Sequence, residues 1–464
     1  MGGLSKKAFQ FGQLKNNGNE PWVIVDGGAL FFDSIRPHRY KFEQIRAKDH
    51  GIVEAYNRIG YDAVGVAGQD LAGGLSLLQE LARKSNFAWL SGNLVEKESG
   101  LPYFQTHISK EVGGVRVAIT GLTSPEIAEA RLLDEGAAIR NWEEVFPPLV
   151  SNLKQNHQFI ILLTDLAPDL CAAISRRHPE VNLIIRASGD LENHSPRAIA
   201  PSTLIASTGR QGKYVGALTV SWIRGGRWGE PDEDTLLLIE KGADLDRTMS
   251  QLNKMAGNGE NRTRIGNLER KKEVLAGEVS QLKSRIESRK LSLYTNSFYE
   301  MSDTVSDDPG VQAVVMQIRE NVAALSRERT DPVAESDVVA PPGYLGWPAC
   351  LNCHRGAVST WKETRHAGAY ETLVRKNRQN DFDCLPCHLT GIDFDNVASA
   401  LTLTDTLRTV GCEACHGPGK EHVASEGRSG TGKVSGKVCV RCHVPEHDDS
   451  HDFERDLIKI RCNR

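Results

Sequence analysis

At 464 residues the chain exceeds what one ordinary hydrophobic core supports, so two or three structural units are expected. Hydrophobic residues make up 39% and charged residues 25%, a globular composition, and the net charge of -4 offers nucleic acid or an anionic membrane no electrostatic attraction. No apolar run approaches the roughly 20 residues that cross a bilayer, and the first ten residues (MGGLSKKAFQ) lack the apolar stretch of a signal peptide.

Residues 1–240 alternate between strand and helix signals. Residues 22–26 form a short apolar run that ends at Gly27-Gly28, which predicts a buried strand and a turn. Residues 62–66, 87–90, 114–120, 159–163 and 181–185 are further β-rich runs bounded by turn residues. Residues 71–82 and 141–154 carry helical spacing between them. Strands alternating with helices predict an α/β layered sheet.

Residues 241–330 change character. Ile265, Val279 and Ile286 fall on one heptad seam and Leu268, Leu275 and Leu282 on the other, with Lys272 interrupting the first. This pattern suits a helical hairpin or a short coiled coil that joins two copies as a homodimer. A second helix is expected over residues 311–327. Pro332, Pro341, Pro342 and Pro348 mark residues 331–349 as a semi-rigid linker. From residue 350 to 464 apolar periodicity is weak, and so small a unit would struggle to build a core from side chains alone.

Cysteine is unevenly placed. Cys171 stands alone in the first 349 residues, and the other nine of ten cysteines follow. Eight of those nine, all but Cys462, form four Cys-x-x-Cys pairs, each continued by histidine: Cys350, Cys353 and His354; Cys384, Cys387 and His388; Cys412, Cys415 and His416; Cys439, Cys442 and His443. In C-x-x-C-H the two thiols reach the two vinyl groups of one haem and the histidine is aimed at its iron. Zinc knuckles also use paired cysteines, but zinc makes no demand for histidine directly after the second cysteine in every copy. The expected cofactor is therefore four covalent c-type haems. None of the five methionines lies beyond Met316, which leaves His366, His422, His447 and His451 as candidate sixth ligands within the segment. Without methionine ligation, low-potential, mainly bis-histidine haems are expected. An ordinary surface position is the competing reading for each of the four, above all for His447 in the polar run 447–451.

The run CxxCH, W-x4-H (Trp361 to His366), CLPCH followed by Thr390-Gly391, and CEACHGPG-x-x-H (Cys412 to His422) resembles the tetrahaem cytochromes c related to the electron acceptor of hydroxylamine oxidation. The resemblance covers about 115 residues. It implies stacked haems in a mostly helical, loop-rich domain that passes electrons between redox partner proteins, a membrane-associated electron-transfer protein among the candidates. One haem of that family can lack a distal ligand.

The first 240 residues resemble a second family, the metallophosphoesterase domain of periplasmic 5′-nucleotidases. The runs AYNRIGYDAVGVAGQDLAGGLSLLQEL from Ala55, SGNL from Ser91, VRVAITGLTSP from Val115 and STGRQGKYVGALTV from Ser207 carry it. That fold implies two metals clamping a phosphate ester. Its ligand positions are altered here: Ala29 replaces an Asp, Gly68 the Asn, Gln69 the catalytic His, Asp165 a strand-end His, and Ala187-Ser188-Gly189-Asp190 the closing Gly-His-x-His. Asp165 and Asp190 retain oxygen ligands but the imidazoles that suit zinc are gone, so a non-catalytic scaffold is expected. The family's first strand would precede the Gly2-Gly3-Leu4 run. A natural start upstream of Met1, with a signal peptide and that strand, is expected, and with it a periplasmic or other extracytoplasmic location. Electron transfer is the leading functional expectation. Reduction of a small nitrogen or sulfur compound at an open haem, and residual phosphohydrolysis, are the alternatives.

Overall fold

The structure is a computed structural model and describes residues 3–16, 21–32, 41–126, 136–187, 189–229, 233–255, 262–328, 340–395, 397–445, 447–448 and 450–460. Ser188, Cys462 and residues 331–339, Pro332 among them, lie outside the described residues.

The N-terminal region begins with α1 (Leu4–Asn16), β1 (Val25–Asp26), α2 (Phe42–Ile59), β2 (Ala63–Gly65), α3 (Leu75–Lys84) and β3 (Ala88–Leu90). A short antiparallel pair, β4 (Leu94–Glu96) with β7 (Ala137–Ile139), flanks β5 (His107–Val112) and β6 (Val115–Leu122). There follow α4 (Trp142–Asn156), β8 (Phe159–Thr164), α5 (Pro168–Arg177), β9 (Val181–Arg186), β10 (His194–Ala200) and β11 (Thr203–Ser207). Strands β1, β2 and β3 pair in parallel, and a six-stranded sheet runs β10-β11-β9-β8-β6-β5.

The apolar residues explain the layering. Strand β8 (FIILLT) is buried at every position, as a strand covered on both faces must be. One set of side chains, including Ala63, Leu90, Ile119, Ile161 and Leu163, fills the space between the two sheets. A second set joins the outer face of β1–β3 to α2 and α3, and a third joins the outer face of the large sheet to α4 and α5. The result is a helix–sheet–sheet–helix sandwich. The sheets approach closely where glycine permits it. A Cβ on Gly27 would stand 2.5 Å from the amide nitrogen of Ala187, and one on Gly65 2.6 Å from the carbonyl of Gly27.

Residues 241–330 differ from an all-helical connector. After β12 (Tyr214–Ser221) and β13 (Arg227–Trp228), helices α6 (Glu233–Met255) and α7 (Arg262–Ser288) form an intramolecular antiparallel hairpin, tied by Lys241–Glu278 at 2.8 Å and Arg289–Asp234 at 2.5 Å. Leu275, Val279, Leu282 and Ile286 of the heptad pattern are buried. The chain then re-enters the first unit through β14 (Leu291–Glu300). This strand pairs antiparallel with β12 along its length, from Tyr214 opposite Glu300 to Ser221 opposite Leu293. Its sequence, LSLYTNSFYE, has the β-branched and aromatic content of a strand, and that local signal outweighs the helical flanks. Helix α8 (Pro309–Glu328) packs on α1 and α2, burying Val311 and Val315 in their shared core.

The cysteine-rich segment consists of α9 (Arg355–Lys362), α10 (Ala369–Arg375), α11 (Leu385–His388), α12 (Cys412–His416), α13 (Lys420–Ala424), α14 (Gly436–Cys439) and α15 (Phe453–Ile460), with single turns between. It has a side-chain core of its own, contrary to the reading from periodicity: Leu373, Phe382, Leu385, Leu389, Ile392, Val397, Leu403 and Leu407 are buried together. These residues come from short turns whose spacing follows neither a helical nor a strand period. Residues 340–349 are integrated rather than free, with Ala340 and Tyr344 against that core. Among the described residues no helix is long and apolar enough to cross a membrane.

The segment is fastened to the sandwich through α2. Lys48 bridges Asp381 at 2.6 Å and Asp383 at 2.5 Å, and Lys41 meets Asp383 at 2.9 Å. Gln44 between them donates to Ser326 Oγ at 2.8 Å and to the Asn380 carbonyl at 2.9 Å, and accepts from the Phe382 amide at 3.1 Å.

One buried group on α2 carries a stability prediction. Asp49 is fully buried with neither carboxylate oxygen hydrogen-bonded, and burial, with Asp70 nearby, pushes its pKa from 3.8 up to about 8. The folded protein therefore holds a proton that the unfolded chain has lost between these two values, so stability falls as pH rises from about 4 to about 8. The integrated loss is at most about 6 kcal/mol. Thermal unfolding of Asp49→Asn followed by circular dichroism should show a flatter profile over that window and a higher midpoint than wild type at pH 8.5. An unchanged profile would assign the pH dependence elsewhere.

Candidate haem-binding site

Each Cys-x-x-Cys-His run folds as one helical turn. In the second and third runs the turn is α11 and α12 themselves, and in the first and fourth the histidine amide bonds the carbonyl of the first cysteine, His354 to Cys350 and His443 to Cys439, both at 2.9 Å. Helical spacing puts the first cysteine and the histidine on one face a turn apart, with the second cysteine beside them.

The fold brings the four runs together in two pairs. The Cys350 thiol is in hydrogen-bond contact with that of Cys412, joining the first run to the third, and Cys387 is likewise in contact with Cys442, joining the second to the fourth. The contact with Cys442 holds the Cys387 thiol down at about 7, while burial and the charge of Asp381 push its neighbour Cys384 up to about 12.

The histidines are arranged as follows. The rings of His354 and His422 lie 6.0 Å apart with an interplanar angle of 23°. Those of His366 and His443 are also 6.0 Å apart, at 67°. A metal between two imidazoles, with bonds of about 2 Å and about 1 Å more to each ring centre, separates the centres by about 6 Å. Both pairs meet that spacing. His451 stacks on His443 at 4.7 Å rather than approaching His416, and both its nitrogens are buried without a hydrogen-bond partner, although Asp456 lies 3.3 Å from Nδ1. His447 is exposed, and burial, with Arg378 nearby, holds His388 below its ordinary pKa. Among the described residues no second imidazole ring stands against His416.

Outer contacts fix these rings. The Nδ1 of His388 meets the Ala369 carbonyl at 2.7 Å and that of His422 the Ser429 carbonyl at 2.7 Å. Trp361 donates to the Val410 carbonyl at 2.9 Å, and its ring packs against Trp347 at 5.6 Å. The Thr409 hydroxyl donates to the carbonyls of His366 and Ala367 at 3.1 and 2.9 Å. Sequence reasoning missed Glu413, inside the third run. Its buried carboxylate accepts from the amides of Leu345 at 3.0 Å, Gly346 at 2.7 Å and Gly419 at 2.7 Å, tying the chain before the first run to the third.

A second candidate site lies at the strand ends of the sandwich, where a phosphoesterase would hold metals. Its carboxylates are turned inward onto main chain. Asp70 accepts from Ala29, Leu30 and Ala67 at 2.8, 2.7 and 3.1 Å, and Asp165 from Gly68 at 2.7 Å and Ser124 at 2.6 Å. Burial raises their pKa values to about 7 and about 6. Gln69 donates to the Phe32 carbonyl. Asp190, the other retained oxygen donor, is exposed and pairs with His194 at 2.8 Å. The loops are thus held together by carboxylate–amide bonds where two cations would otherwise do so, and the residues present do not fit a dinuclear centre.

The chain thus has two parts, an α/β sandwich that resembles the phosphoesterase domain of 5′-nucleotidases and a segment with four Cys-x-x-Cys-His runs that resembles the c-type cytochromes. Residues 349–417 match the family model of cytochrome c554 and c-prime, which implies covalently bound haem c with its iron. Among curated proteins the chain is 29% identical over 133 residues to cytochrome c-554 of Nitrosomonas europaea, covering 25% of this chain and 57% of that protein. It is 27% identical over 139 residues to 5′-nucleotidase of Vibrio vulnificus, covering 29% of this chain and 24% of that protein. The chain therefore spans just over half the length of the first relative and about a quarter of the second. Among solved structures, the sulfate thiohydrolase SoxB of Thermus thermophilus is 15% identical with a TM-score of 0.48, covering 73% of this chain and 48% of that one. A 5′-nucleotidase precursor, also from Thermus thermophilus, is 16% identical with a TM-score of 0.47, covering 79% and 62%.

Proposed function

We propose that residues 350–464 bind four c-type haems and relay electrons between extracytoplasmic redox proteins, and that the sandwich is a scaffold without phosphoester chemistry. The observation that carries this reading is the pair of imidazole pairs, His354 with His422 and His366 with His443, each spaced as one iron requires. The eight motif cysteines would hold the haems by thioether bonds, and His354, His388, His416 and His443 would each supply one nitrogen to an iron. His422 and His366 would complete the first and fourth sites. His447 is the candidate for the second, and His451 is the remaining imidazole of the segment. Haem iron supplies reversible one-electron chemistry; the chain's part is to fix ligand identity, exclude water and hold neighbouring groups in contact. Contact between the first and third runs, and between the second and fourth, supports haem-to-haem transfer without a diffusing carrier. The clamp from Lys41, Gln44 and Lys48 to residues 380–383 supports the scaffold role, since it immobilises the loop that leads into Cys384. The inward-turned Asp70 and Asp165 support the loss of hydrolysis.

Haem-loaded protein reduced with dithionite is expected to pass its electrons to an added small cytochrome c within seconds. It is expected to show no hydrolysis of a phosphodiester when supplied with zinc or manganese. The bare surroundings of His416 favour one second reading, an open iron that binds a small ligand. Carbon monoxide added to the reduced protein separates the two: an unchanged spectrum supports a pure relay, and a shift in one haem of four supports the open site. Failure to reoxidise with any protein acceptor, alongside turnover of nitrite or hydroxylamine, would overturn the relay.

A further inference from the structure

His443 differs from the other motif histidines in what its outer nitrogen touches. The Nδ1 of His388 and that of His416 meet main-chain carbonyls, Ala369 at 2.7 Å and Gly432 at 3.3 Å. The Nδ1 of His443 instead meets a carboxylate, Asp448 Oδ2, at 2.7 Å. Among the described residues it is the only motif histidine with an acidic partner at this position.

The chain builds this contact deliberately. The Asp448 amide bonds the Val444 carbonyl at 2.9 Å, which closes a turn directly after the fourth run and returns the carboxylate to the ring it follows. Ser450 donates to the other oxygen, Oδ1, at 3.3 Å, leaving Oδ2 to the imidazole. The His451 ring covers one face of His443 at 4.7 Å, so the Asp448–His443 bond is only partly open to water. At the second and third runs a main-chain carbonyl occupies this position instead.

We infer that Asp448 is a positioning residue that lowers the reduction potential of the iron held by His443. An imidazole whose outer N–H is shared with an anion carries more negative charge on its ring, and its inner nitrogen becomes a stronger donor. The stronger donor and the added negative charge both favour the ferric state, and outer hydrogen bonding is one of the levers a protein has on a haem. The inference rests on the reading of His443 as an iron ligand. It assigns the four sites unequal driving force from the chain's own residues, with the fourth placed below what a carbonyl partner would give.

Spectroelectrochemical titration of the full haem-loaded chain tests this, with midpoints fitted for each haem. Asp448→Asn keeps an acceptor against the ring and removes the charge. One midpoint should rise so that, at fixed ambient potential, the reduced-to-oxidised ratio of that haem increases about tenfold, which is about 59 mV for one electron. The remaining midpoints should move far less, and Asp448→Glu should restore the wild-type value. Unmoved midpoints in Asp448→Asn with full haem loading would overturn the inference. A Cys439–Cys442 peptide that carries no haem by mass spectrometry would overturn the ligand reading, and the inference with it.

Discussion

Replacing Cys412 and Cys415 together by serine is expected to lower the haem content by one per chain, from the proposed four to three, measured by pyridine haemochrome absorbance against protein concentration and by intact mass. The loss should not stop at one cofactor. Cys350 touches Cys412, so a haem at the first site would lie beside one at the third, and its absorption and potential should change while it remains bound. The same double substitution at Cys384 and Cys387 should perturb the fourth site instead, because Cys387 touches Cys442. Haem content that stays at four in either variant would remove the attachment chemistry from these thiols.

The second large effect belongs to Glu413. Its carboxylate is 4% exposed and holds the amides of Leu345, Gly346 and Gly419. Alanine at this position would leave three partly or fully buried donors without a partner, at about 1–3 kcal/mol each. Glu413→Ala should therefore lower the denaturant midpoint of the haem-bearing segment by an amount equivalent to about 3–9 kcal/mol, while the sandwich melts as before. Glu413→Gln keeps one acceptor oxygen and should lose about half as much. A midpoint unchanged in both variants would show that water replaces the carboxylate at no cost.

What the sequence made legible was whatever depends on local spacing. The four Cys-x-x-Cys-His runs, the strands at residues 62–66, 114–120, 159–163 and 181–185, and the helix near residues 141–154 are each encoded within a dozen residues. The structure places those strands at Ala63–Gly65, Val115–Leu122, Phe159–Thr164 and Val181–Arg186, and the helix at Trp142–Asn156. What escaped depends on contacts between distant residues. Strand β14 was hidden between two long helices, and its partner β12 lies some seventy residues earlier in the chain. The clamp between α2 and residues 380–383 joins groups more than three hundred positions apart. The pairing of the first run with the third, and of the second with the fourth, has no signature in spacing at all. Asp448 sits in a run that reads as plain surface, HDDSH, and only the turn at Val444 reveals which imidazole it serves.

The two imidazole pairs differ in one further respect, the angle between their ring planes: 23° for His354 with His422 and 67° for His366 with His443. Each ring donates π density to the iron orbital perpendicular to its own plane. Two nearly parallel rings raise the same orbital and split the pair strongly, whereas two crossed rings raise both and leave them almost equal. A low-spin ferric iron at the first site would therefore give a rhombic electron paramagnetic resonance signal, and one at the fourth a highly anisotropic signal. With iron bound as proposed, the backbone turns that set those ring angles would give the two sites separate magnetic labels, readable in one frozen sample of the oxidised protein.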